Sequence, residues 1–561
     1  MIVAETASSH CFTNNYSFSI SSLPFEEVPG QSRLFVDYQK DPTSLRRFYP
    51  EAVATHVELS SRIEKVLASY EVDRQVLCDA LEATNRYVGA TDATLANINL
   101  LRDPQCVAVV SGQQAGLFSG PVYTIYKALS AVRMAKCLRD RGHKAVPVFW
   151  IATEDHDFEE VSRTAVISKT GLLTPISVAS ATPAGIPVGN MPLDDSVSAK
   201  ALEMMSKMQG TEHSPWISEI LSSTWRPGEK FGDAFAKMLM RLLGKFGIIV
   251  LCPLNSEIKR LAAPMYRRAA ERAGNVVEAL RARSAELEKA GYHAQVHIGE
   301  DYFPLFWQNP EGARKALRRS GDDTVATKDH SHEFPLDQVL KMIEDEPSDF
   351  SPSVTLRSVI QDYLLPTVTY FGGAAEIAYF AQSAEVYRVL DRPATPILHR
   401  QSFTVIEPKH RKTMEKYGLA LTNLFSGIDS MIPKLVESHL NKDGAAKIDD
   451  AAAAIEREFA RIESEVLGLD QTLGDNLARR KRKINYHLDA IRKKFHDAQM
   501  RKDGEVRTQV ETMFTTLFPN NHLQERSVNV LYFLNRYGES FIDWLYESID
   551  LDEKGHRIVL L

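Results

Sequence analysis

The stretch that decides the fold runs from Cys106 to Val161 and begins CVAVVSGQQAGLFSGPVYTIYKALSAVRMA. Its first five residues are apolar or β-branched, which is typical of a buried strand. Glycines and Pro121 then mark a loop and the start of a helix, because the N–H that proline lacks would be unpaired in a first helical turn. A second apolar run, Val146 to Ala152, precedes the letters TEDHD. This order predicts a right-handed βαβ crossover in a mostly parallel sheet.

Both polar segments of this unit follow strands, so we expect them at the carboxyl edge of the sheet, where ligands of parallel sheets bind. Glycines let a ligand approach the backbone, and free N–H groups at a helix start favour an anion. The loop fits neither the GxGxxG nor the Walker A pattern. A tight turn without a ligand is the alternative, which the adjacent acidic cluster disfavours. The loop residues predicted to bind a ligand are Gly112, Gln113, Gln114, Gly116, Ser119, Gly120, Tyr123 and Lys127.

The same residues resemble a known family. SGQQAGLFSGPVYTIYKA (111–128) and PVFWIATEDHDFEEV (147–161) closely resemble the bacillithiol biosynthesis cysteine-adding enzymes. Further blocks follow in the order of that family: GYHAQV (291–296), QDYLLPTVTYFGGAAEIAYFAQ (361–382), HRQSFTVIE (399–407) and FPNNHLQERSVNVLYFLNRYG (518–538). Because the blocks run from near residue 100 to near the C-terminus, the resemblance covers most of the chain.

The resemblance implies an α/β fold. It would have a Rossmann-like parallel sheet core, similar to that of class I aminoacyl-tRNA synthetases, with inserted connective segments and a helical coiled-coil domain used for dimerisation. It also implies a ligase that adds L-cysteine to glucosaminyl-malate in the last step of bacillithiol biosynthesis, with ATP or ADP bound and Mg²⁺ as a candidate ion. The synthetase signatures HxGH and KMSKS are absent from this sequence. An adenylate and a phosphate intermediate therefore both stay open, and no protein metal site is predicted.

The domain organisation follows from changes of pattern along the chain. We expect a core at 1–408, with insertions near 163–245 and 300–350, a coiled-coil dimerisation domain at 409–512, and a segment at 513–561 that packs back on the core. The coiled coil is indicated by apolar residues at heptad-like spacing. These residues are Ile455, Phe459, Ile462, Val466, Leu469 and Leu473, followed by Ile484, Leu488, Ile491 and Phe495. Burying this stripe requires either the preceding helix, predicted at about 409–440, folded back on it, or a second chain.

Amide formation needs an activated carboxyl group, a way to hold anions, and a base for the amine. The predicted catalytic residues are Glu154, Asp155, His156 and Asp157, with Thr153 beside them as a binding residue. We expect a raised pKa for His156, because it lies between two acids. His293 and His297 are predicted to share one side of a strand, and a metal pair there is the weaker interpretation.

A second strand, glycine and helix unit repeats this pattern further along the chain. It adds the predicted binding residues Gly372, Gly373, Glu376, Tyr379, Gln382 and Arg400. Glu376 falls in the first turn of the helix, where a carboxylate is favoured by the helix dipole. A helix-capping role and a ligand-binding role are both open for this residue.

Composition excludes several other classes of protein. The net charge of −7 argues against a nucleic-acid partner. Five scattered cysteines without a CxxC pair argue against a thiolate zinc site and against a disulfide framework. The sequence shows neither a secretory signal nor an apolar run of membrane-spanning length, so we expect a cytoplasmic protein. Two alternatives to the ligase are a non-catalytic nucleotide- or metabolite-binding scaffold in thiol synthesis, and a nucleotidyltransferase acting on another small acid.

Overall fold

The computed structural model describes residues 19–321, 323–467 and 471–561, so Cys11 and Leu469 lie outside the described residues. The strands are β1 (Ser19–Leu23), β2 (Val107–Gln113), β3 (Ala145–Ile151), β4 (Arg163–Ile167), β5 (Leu173–Ser177), β6 (Ile249–Leu251), β7 (Tyr302–Gln308), β8 (Arg314–Arg319), β9 (Thr324–Thr327), β10 (Glu333–Pro335), β11 (Phe350–Pro352), β12 (Thr367–Gly372), β13 (Ile397–His399), β14 (Phe403–Ile406) and β15 (His556–Leu560). The α-helices are α1 (Arg33–Lys40), α2 (Ile63–Ala68), α3 (Arg74–Tyr87), α4 (Asp92–Leu101), α5 (Tyr123–Asp140), α6 (Phe158–Val161), α7 (Ser196–Lys207), α8 (Ser214–Thr224), α9 (Phe231–Leu243), α10 (Ser256–Glu271), α11 (Ala273–Lys289), α12 (Leu336–Asp345), α13 (Val354–Leu364), α14 (Ala374–Val389), α15 (Pro408–Tyr417), α16 (Leu421–Leu424), α17 (Ile428–Leu435), α18 (Lys442–Leu467), α19 (Gln471–Lys502), α20 (Gly504–Leu517), α21 (Val530–Tyr537) and α22 (Ser540–Ser548).

A five-stranded parallel sheet forms the centre of the core, in the order β13-β12-β2-β3-β6. The chain adds β3 and β6 on one side of β2, and later adds β12 and β13 on the other side. The strand order therefore reverses between β2 and β12, which is where open α/β sheets bind their ligands. The predicted Rossmann-like parallel sheet and its β2-α5-β3 crossover are confirmed.

Both faces of this sheet are covered, which explains the unbroken apolar runs in the sequence. Val107 and Val109 pack in one apolar cluster together with residues of α5, whereas Ala108 and Val110 pack in a cluster on the other face. All four side chains are fully buried. Since successive strand residues point to opposite faces, a strand covered on both sides has no polar position to alternate with.

Two segments inserted between core strands carry antiparallel sheets. Strands β4 and β5 pair with each other after helix α6, which follows the TEDHD letters. Strands β7 to β11 form a sheet in the order β10-β9-β8-β7-β11. The predicted strand through His293 and His297 is wrong, because residues 291–301 form an irregular segment and β7 begins only at Tyr302. The N–H and C=O of Val296 in this segment bond to the Gln382 side chain, both at 2.8 Å, so they are not available to a neighbouring strand.

The predicted apolar stripe is divided between α18 and α19, which pack on each other as a helical hairpin. Lys481 and Glu456 link the two helices with an ion pair at 2.6 Å. The predicted single helix at about 409–440 is wrong, because Gly418 and Gly427 adopt positive φ angles of 60° and 83° and divide that segment into α15, α16 and α17. The last of these helices, α17, still packs against α19.

The two ends of the described chain meet in one sheet. Strand β15 pairs with β1 in antiparallel orientation and with β14 in parallel orientation. The boundaries at residues 408 and 512 stay predictions. Among the described helices, none combines the length and the apolar character that crossing a membrane requires.

Candidate active site

A cavity of 570 Å³ lies at the carboxyl edge of the parallel sheet, at the reversal of strand order between β2 and β12. Its wall combines the loop after β2, the segment after β3, strands β7 and β8 of the insertion, and the starts of α13 and α14. Two neighbouring strands of the central sheet thus place both predicted polar segments in one cavity. The predicted residues that line it are Gly112, Gln113, Gln114, Tyr123, Lys127, Glu154, Asp155, His156, Gly373, Glu376, Tyr379 and Arg400.

Three predicted loop residues, Gly116, Ser119 and Gly120, do not line the cavity. A Cβ atom at position 116 would lie 2.8 Å from the Cα of Gly120, so the two glycines allow the loop to close on itself. Gly120 also has a φ angle of 68°, in the region that favours glycine. The predicted close approach of a ligand to these glycines is therefore not supported. They shape the loop that carries Gln113 and Gln114.

Four further predicted residues also lie outside the cavity wall, and each has a structural contact instead. Thr153 is buried against the backbone of a neighbouring turn. Asp157 caps α6 by accepting the N–H of Glu160 at 3.2 Å. Gly372 is the last residue of β12, and its carbonyl oxygen accepts the backbone N–H of Arg400 at 2.9 Å. Gln382 is occupied by its hydrogen bonds to the backbone before β7.

Lys127 joins the two halves of the sheet beneath the cavity. Its buried ammonium group donates to the Gly112 carbonyl oxygen and to Gln113 Oε1, both at 2.9 Å. It also forms an ion pair with the Glu376 carboxylate at the start of α14. Burial lowers the pKa of Lys127, and Glu376 opposes that change. Lys127 therefore orders the β2 loop, and the charge that it was predicted to offer a ligand is compensated within the protein.

Glu376 is the centre of a hydrogen-bond network on the β12 side of the cavity. Its carboxylate accepts the Tyr370 hydroxyl at 2.6 Å and the Gly373 N–H at 2.8 Å. Burial alone would raise the pKa of Glu376, but the charges of Lys127 and Arg357 outweigh it and lower the pKa. The group is held ionised, and it both caps α14 and lines the cavity.

Arg357, on α13, is a cavity residue that the sequence analysis did not single out. Its guanidinium donates to the Tyr379 hydroxyl at 2.9 Å and to Gln361 Oε1 at 3.3 Å. Within the described residues it forms no hydrogen bond and no ion pair with a carboxylate, although Glu376 acts on it through space. Such a guanidinium is suited to a ligand carboxylate or phosphate, which it can bind with two parallel hydrogen bonds.

Glu154 opens the acidic segment on the β3 side of the cavity and is buried with Lys259 of α10. The two side chains form an ion pair, and the Lys259 ammonium also donates to the Phe350 carbonyl oxygen at 2.5 Å. Burial lowers the pKa of Lys259, and Glu154 opposes that change. Because Glu154 still lines the cavity, Lys259 holds this carboxylate in the wall.

Gln114 bridges two further acids of the same side. Its Nε2 atom donates to Asp155 Oδ2 and to Glu160 Oε2, both at 2.7 Å. Burial would raise the pKa of Asp155, but Gln114 and the charge of Arg314 reverse this and lower it. Asp155 is therefore ionised and fixed in position, which suits the binding or deprotonation of an amine.

His156 contacts the insertion sheet, in addition to the acids beside it. Its Nδ1 atom lies 3.2 Å from Nη1 of Arg314 on β8. Burial lowers the pKa of His156, Arg314 lowers it further, and Asp155 and Asp157 offset only part of the change. The predicted raised pKa is therefore wrong. The sequence displays the neighbouring acids but not the cation that the fold brings from 158 positions further along the chain.

The insertion sheet supplies much of the cavity wall that the sequence analysis missed. Arg314, Ala316 and Arg318 are alternate residues of β8, so their side chains point to the same face of the sheet, and all three line the cavity. Phe306 of β7 and Arg526 of the C-terminal segment also line the cavity. The basic residues in the middle of the insertion could have indicated this part of the wall. Their distance from the TEDHD segment in sequence gave no indication that the two segments meet.

Metal-ligating groups do not converge in the part of the chain that the structure describes. Across residues 19–321, 323–467 and 471–561, no three or more histidine, cysteine, aspartate or glutamate side chains are arranged to hold an ion. Two core thiols, Cys106 and Cys252, have their pKa raised to about 12 by burial. At neutral pH these thiols are protonated and unsuited to act as nucleophiles.

Two family profiles together match almost all of the described chain. The profile described as bacillithiol biosynthesis BshC, N-terminal Rossmann-like domain, matches residues 19–401. The profile described as bacillithiol biosynthesis BshC, C-terminal coiled-coil domain, matches residues 403–561.

Similar proteins of closely matching length carry the same family name. A protein of Koribacter versatilis named "Putative cysteine ligase BshC" is 34% identical over 538 residues, which cover 96% of this chain and 99% of the relative. One of Solibacter usitatus with the same name is 34% identical over 535 residues, covering 95% and 98%. A solved structure titled as a "putative arginyl t-RNA synthetase" from Campylobacter jejuni is 10% identical and has a TM-score of 0.22. The match covers 85% of this chain and 97% of that one, but the likeness is too weak to carry an argument.

Proposed function

The chain belongs to the bacillithiol biosynthesis BshC family, and we propose that its cavity joins L-cysteine to glucosaminyl-malate with ATP as the energy source. The family and the names of its relatives support a cysteine-adding ligase of bacillithiol synthesis. The glucosaminyl-malate acceptor and the nucleotide are what the proposal adds. A cytoplasmic location, where these substrates would be available, belongs to the same proposal.

The observation that carries the proposal is the charge distribution of the cavity. Carboxylates of Glu154, Asp155 and Glu160 line the β3 side. On the β12 side the Glu376 carboxylate is paired with Lys127, whereas the Arg357 guanidinium has no hydrogen-bonded carboxylate among the described residues. Glucosaminyl-malate carries an amine and two carboxylates, and ATP carries phosphates. A cavity with carboxylates on the β3 side and a guanidinium not paired with a carboxylate on the β12 side is complementary to such ligands.

Amide formation from a carboxylate and an amine requires activation of the carboxyl group first. In the proposed reaction an oxygen of the L-cysteine carboxylate attacks a phosphorus atom of ATP, and pyrophosphate or ADP leaves. The glucosamine amine then attacks the acyl carbon, AMP or phosphate leaves, and the amine proton passes to the ionised Asp155 carboxylate. Mg²⁺ would enter with the ATP phosphates, since it is usually bound by substrate oxygens together with one or two carboxylates.

The reconstituted reaction tests this proposal. Purified protein with L-cysteine, glucosaminyl-malate and ATP is expected to form the thiol product, detected by mass spectrometry, and to lose activity when any one substrate is omitted. The nucleotide product, AMP or ADP, identifies the intermediate. Binding of all three substrates without turnover would favour the non-catalytic scaffold.

Asp155→Asn is expected to lower kcat by about 10²-fold, because the amide cannot accept the proton. Asp157→Asn is the matched control, because it is the same substitution two residues away. The Asp157 side chain caps α6 and does not line the cavity. Equal losses in the two variants would contradict a direct role for Asp155.

We also propose a homodimer formed through the α18–α19 hairpin. Packing of the two helices leaves part of the apolar stripe exposed, with Ile462 at 46%, Leu473 at 48% and Ile491 at 56% of full exposure. Because about half of each side chain is still exposed, covering it with a second copy would stabilise the assembly by about half of the 1.5–3 kcal/mol of full burial.

The double substitution Ile462→Glu with Ile491→Glu is expected to convert a dimer into a monomer, because it places charges on the exposed part of the stripe. Light scattering at micromolar concentration measures the change in mass. Ala460→Glu, on the opposite face of α18, should leave the mass unchanged. A wild-type protein that is already monomeric would contradict the proposed dimer.

A further inference from the structure

Arg314 of strand β8 and His156 of the segment after β3 meet at the cavity. The rest of the Arg314 guanidinium is fixed independently of His156. Its Nε atom donates to Ser351 Oγ at 2.8 Å, and its Nη2 atom donates to the Pro352 carbonyl oxygen at 2.9 Å. The group also lies over the Phe306 ring, 3.6 Å from the ring centre. Only Nη1 is directed at the imidazole, 3.2 Å from Nδ1.

This contact determines which nitrogen of His156 carries the proton. A guanidinium has five N–H donors and no acceptor. Nδ1 must therefore be the acceptor, and the single proton of the neutral imidazole is on Nε2. An imidazolium would place two N–H groups against each other, so protonation of His156 would break the contact. Burial and Arg314 both lower the pKa of His156, in agreement with a neutral ring.

The acids that face His156 do not displace Arg314 from Nδ1. Asp155 and Asp157, on the same loop, are the charged groups that favour the imidazolium. Asp155 Oδ1 is 3.9 Å from Nδ1, but this oxygen already accepts the backbone N–H of His156 at 2.8 Å. The other oxygen, Oδ2, accepts from Gln114 at 2.7 Å. Arg314 Nη1, at 3.2 Å, is therefore closer to Nδ1 than Asp155 Oδ1 is, and it can donate its N–H to Nδ1.

We propose that Arg314 is a positioning residue that presents His156 to the ligand as a neutral Nε2–H donor, and that this donor binds a ligand oxygen which gains negative charge during the reaction. His156 lines the cavity, and its Nε2 atom has no hydrogen-bond partner among the described residues. Donors aimed at developing negative charge are a main source of catalytic stabilisation. The identity of the oxygen, acyl or phosphoryl, rests on the proposed ligase function, but the tautomer does not. In this arrangement Asp155 remains the proton acceptor.

The first test is NMR of the full-length protein with ¹⁵N-labelled histidine, in which His156 is assigned by the loss of its signals in His156→Gln. The wild type is expected to show an unprotonated Nδ1 and a protonated Nε2. In Arg314→Met the titration midpoint of His156 should rise towards its ordinary value of about 6.5. Lys315→Met is the control, because it removes a neighbouring cation of β8 that pairs with Asp329 at 2.8 Å. It should leave the titration midpoint of His156 unchanged. A protonated Nδ1 in the wild type would overturn the proposal even if the Arg314 variant failed to fold.

Adding ATP alone and L-cysteine alone to the labelled protein distinguishes the two sources of the oxygen. A shift of the Nε2 signal with ATP identifies a phosphoryl oxygen, and a shift with L-cysteine identifies an acyl oxygen. No shift with either ligand, or with all substrates together, would overturn the donor role. These spectra need no turnover, so they remain decisive if the ligase assay fails.

The pH dependence of kcat/KM supplies a readout that a structural role would not move. Removing Arg314 raises the pKa of His156, so a larger fraction of the variant carries the inactive imidazolium at low pH. Because Arg314 is one of the two causes that lower this pKa, the ratio of activity at pH 6 to activity at pH 8 should be lower in Arg314→Met than in the wild type. An unchanged ratio would contradict the proposal. In the His156→Gln background the same Arg314 substitution should not change the ratio.

Discussion

Replacing Glu154 with glutamine is expected to lower the free energy of unfolding by about 3–5 kcal/mol. The substitution removes the carboxylate partner of Lys259, whose side chain is only 2% exposed. The Phe350 carbonyl oxygen, at 2.5 Å, and the Tyr266 ring, 5.7 Å away, would then face the buried ammonium group, and the charge of Asp349 would act on it only through space. Urea denaturation of the full-length protein measures the loss.

Two further variants separate the ion pair from other roles of Glu154. Adding Lys259→Met to Glu154→Gln removes the uncompensated charge as well, so the double variant should recover most of the loss. Glu159→Gln makes the same chemical change at an exposed position of α6, and we expect its effect to stay within about 0.5 kcal/mol. A double variant no more stable than Glu154→Gln would show that Glu154 supports the fold through other contacts.

The parallel sheet could be predicted because its physical causes are local in sequence. A strand that is covered on both faces requires a continuous apolar run, and the runs at Val107 to Val110 and Val146 to Ile151 show this directly. The polar residues that follow each run lie at the carboxyl edge by the geometry of a crossover connection. For the same reason, Gln114, Asp155 and Glu376 could be placed at one site from sequence alone.

The partners of these residues could not be predicted, because they depend on contacts between distant segments. Glu154 pairs with Lys259, 105 positions away, and His156 accepts from Arg314, 158 positions away. Each contact changes the chemistry of its site. The two acids beside His156 suggested an imidazolium, whereas Arg314 and burial keep the ring neutral.

Long-range contacts also decide where local patterns fail to form structure. The alternating residues at 291–301 favour a strand, but the Gln382 side chain takes both backbone groups of Val296. The glycines of the β2 loop suggested close contact with a ligand, yet Gly116 and Gly120 approach each other instead. A glycine pattern indicates that something approaches the backbone closely. It does not indicate whether that is a ligand or another backbone segment.

The largest loss of activity is expected from Arg357→Met, which should lower kcat/KM by about 10²- to 10³-fold. Methionine keeps much of the side-chain volume but removes the guanidinium that lines the cavity. Among the described residues, this guanidinium has no hydrogen-bonded carboxylate. A ligand carboxylate or phosphate would lose its charge-assisted hydrogen bonds there. Steady-state kinetics of the reconstituted ligase reaction, with each substrate varied in turn, measures the effect.

The distribution of this loss among the substrates identifies the group that Arg357 binds. An increase in KM for one anionic substrate alone assigns the guanidinium to that substrate, and Arg357→Lys should then retain part of the activity, because it keeps the charge but not the planar fork. Arg388→Met, at a position on α14 whose side chain is 66% exposed, should have no effect. If Arg357→Met instead lowers kcat with every KM unchanged, the anion binds elsewhere in the cavity. Arg357 then acts through its hydrogen bond to the Tyr379 hydroxyl, at 2.9 Å, and through its charge on the ionised Glu376.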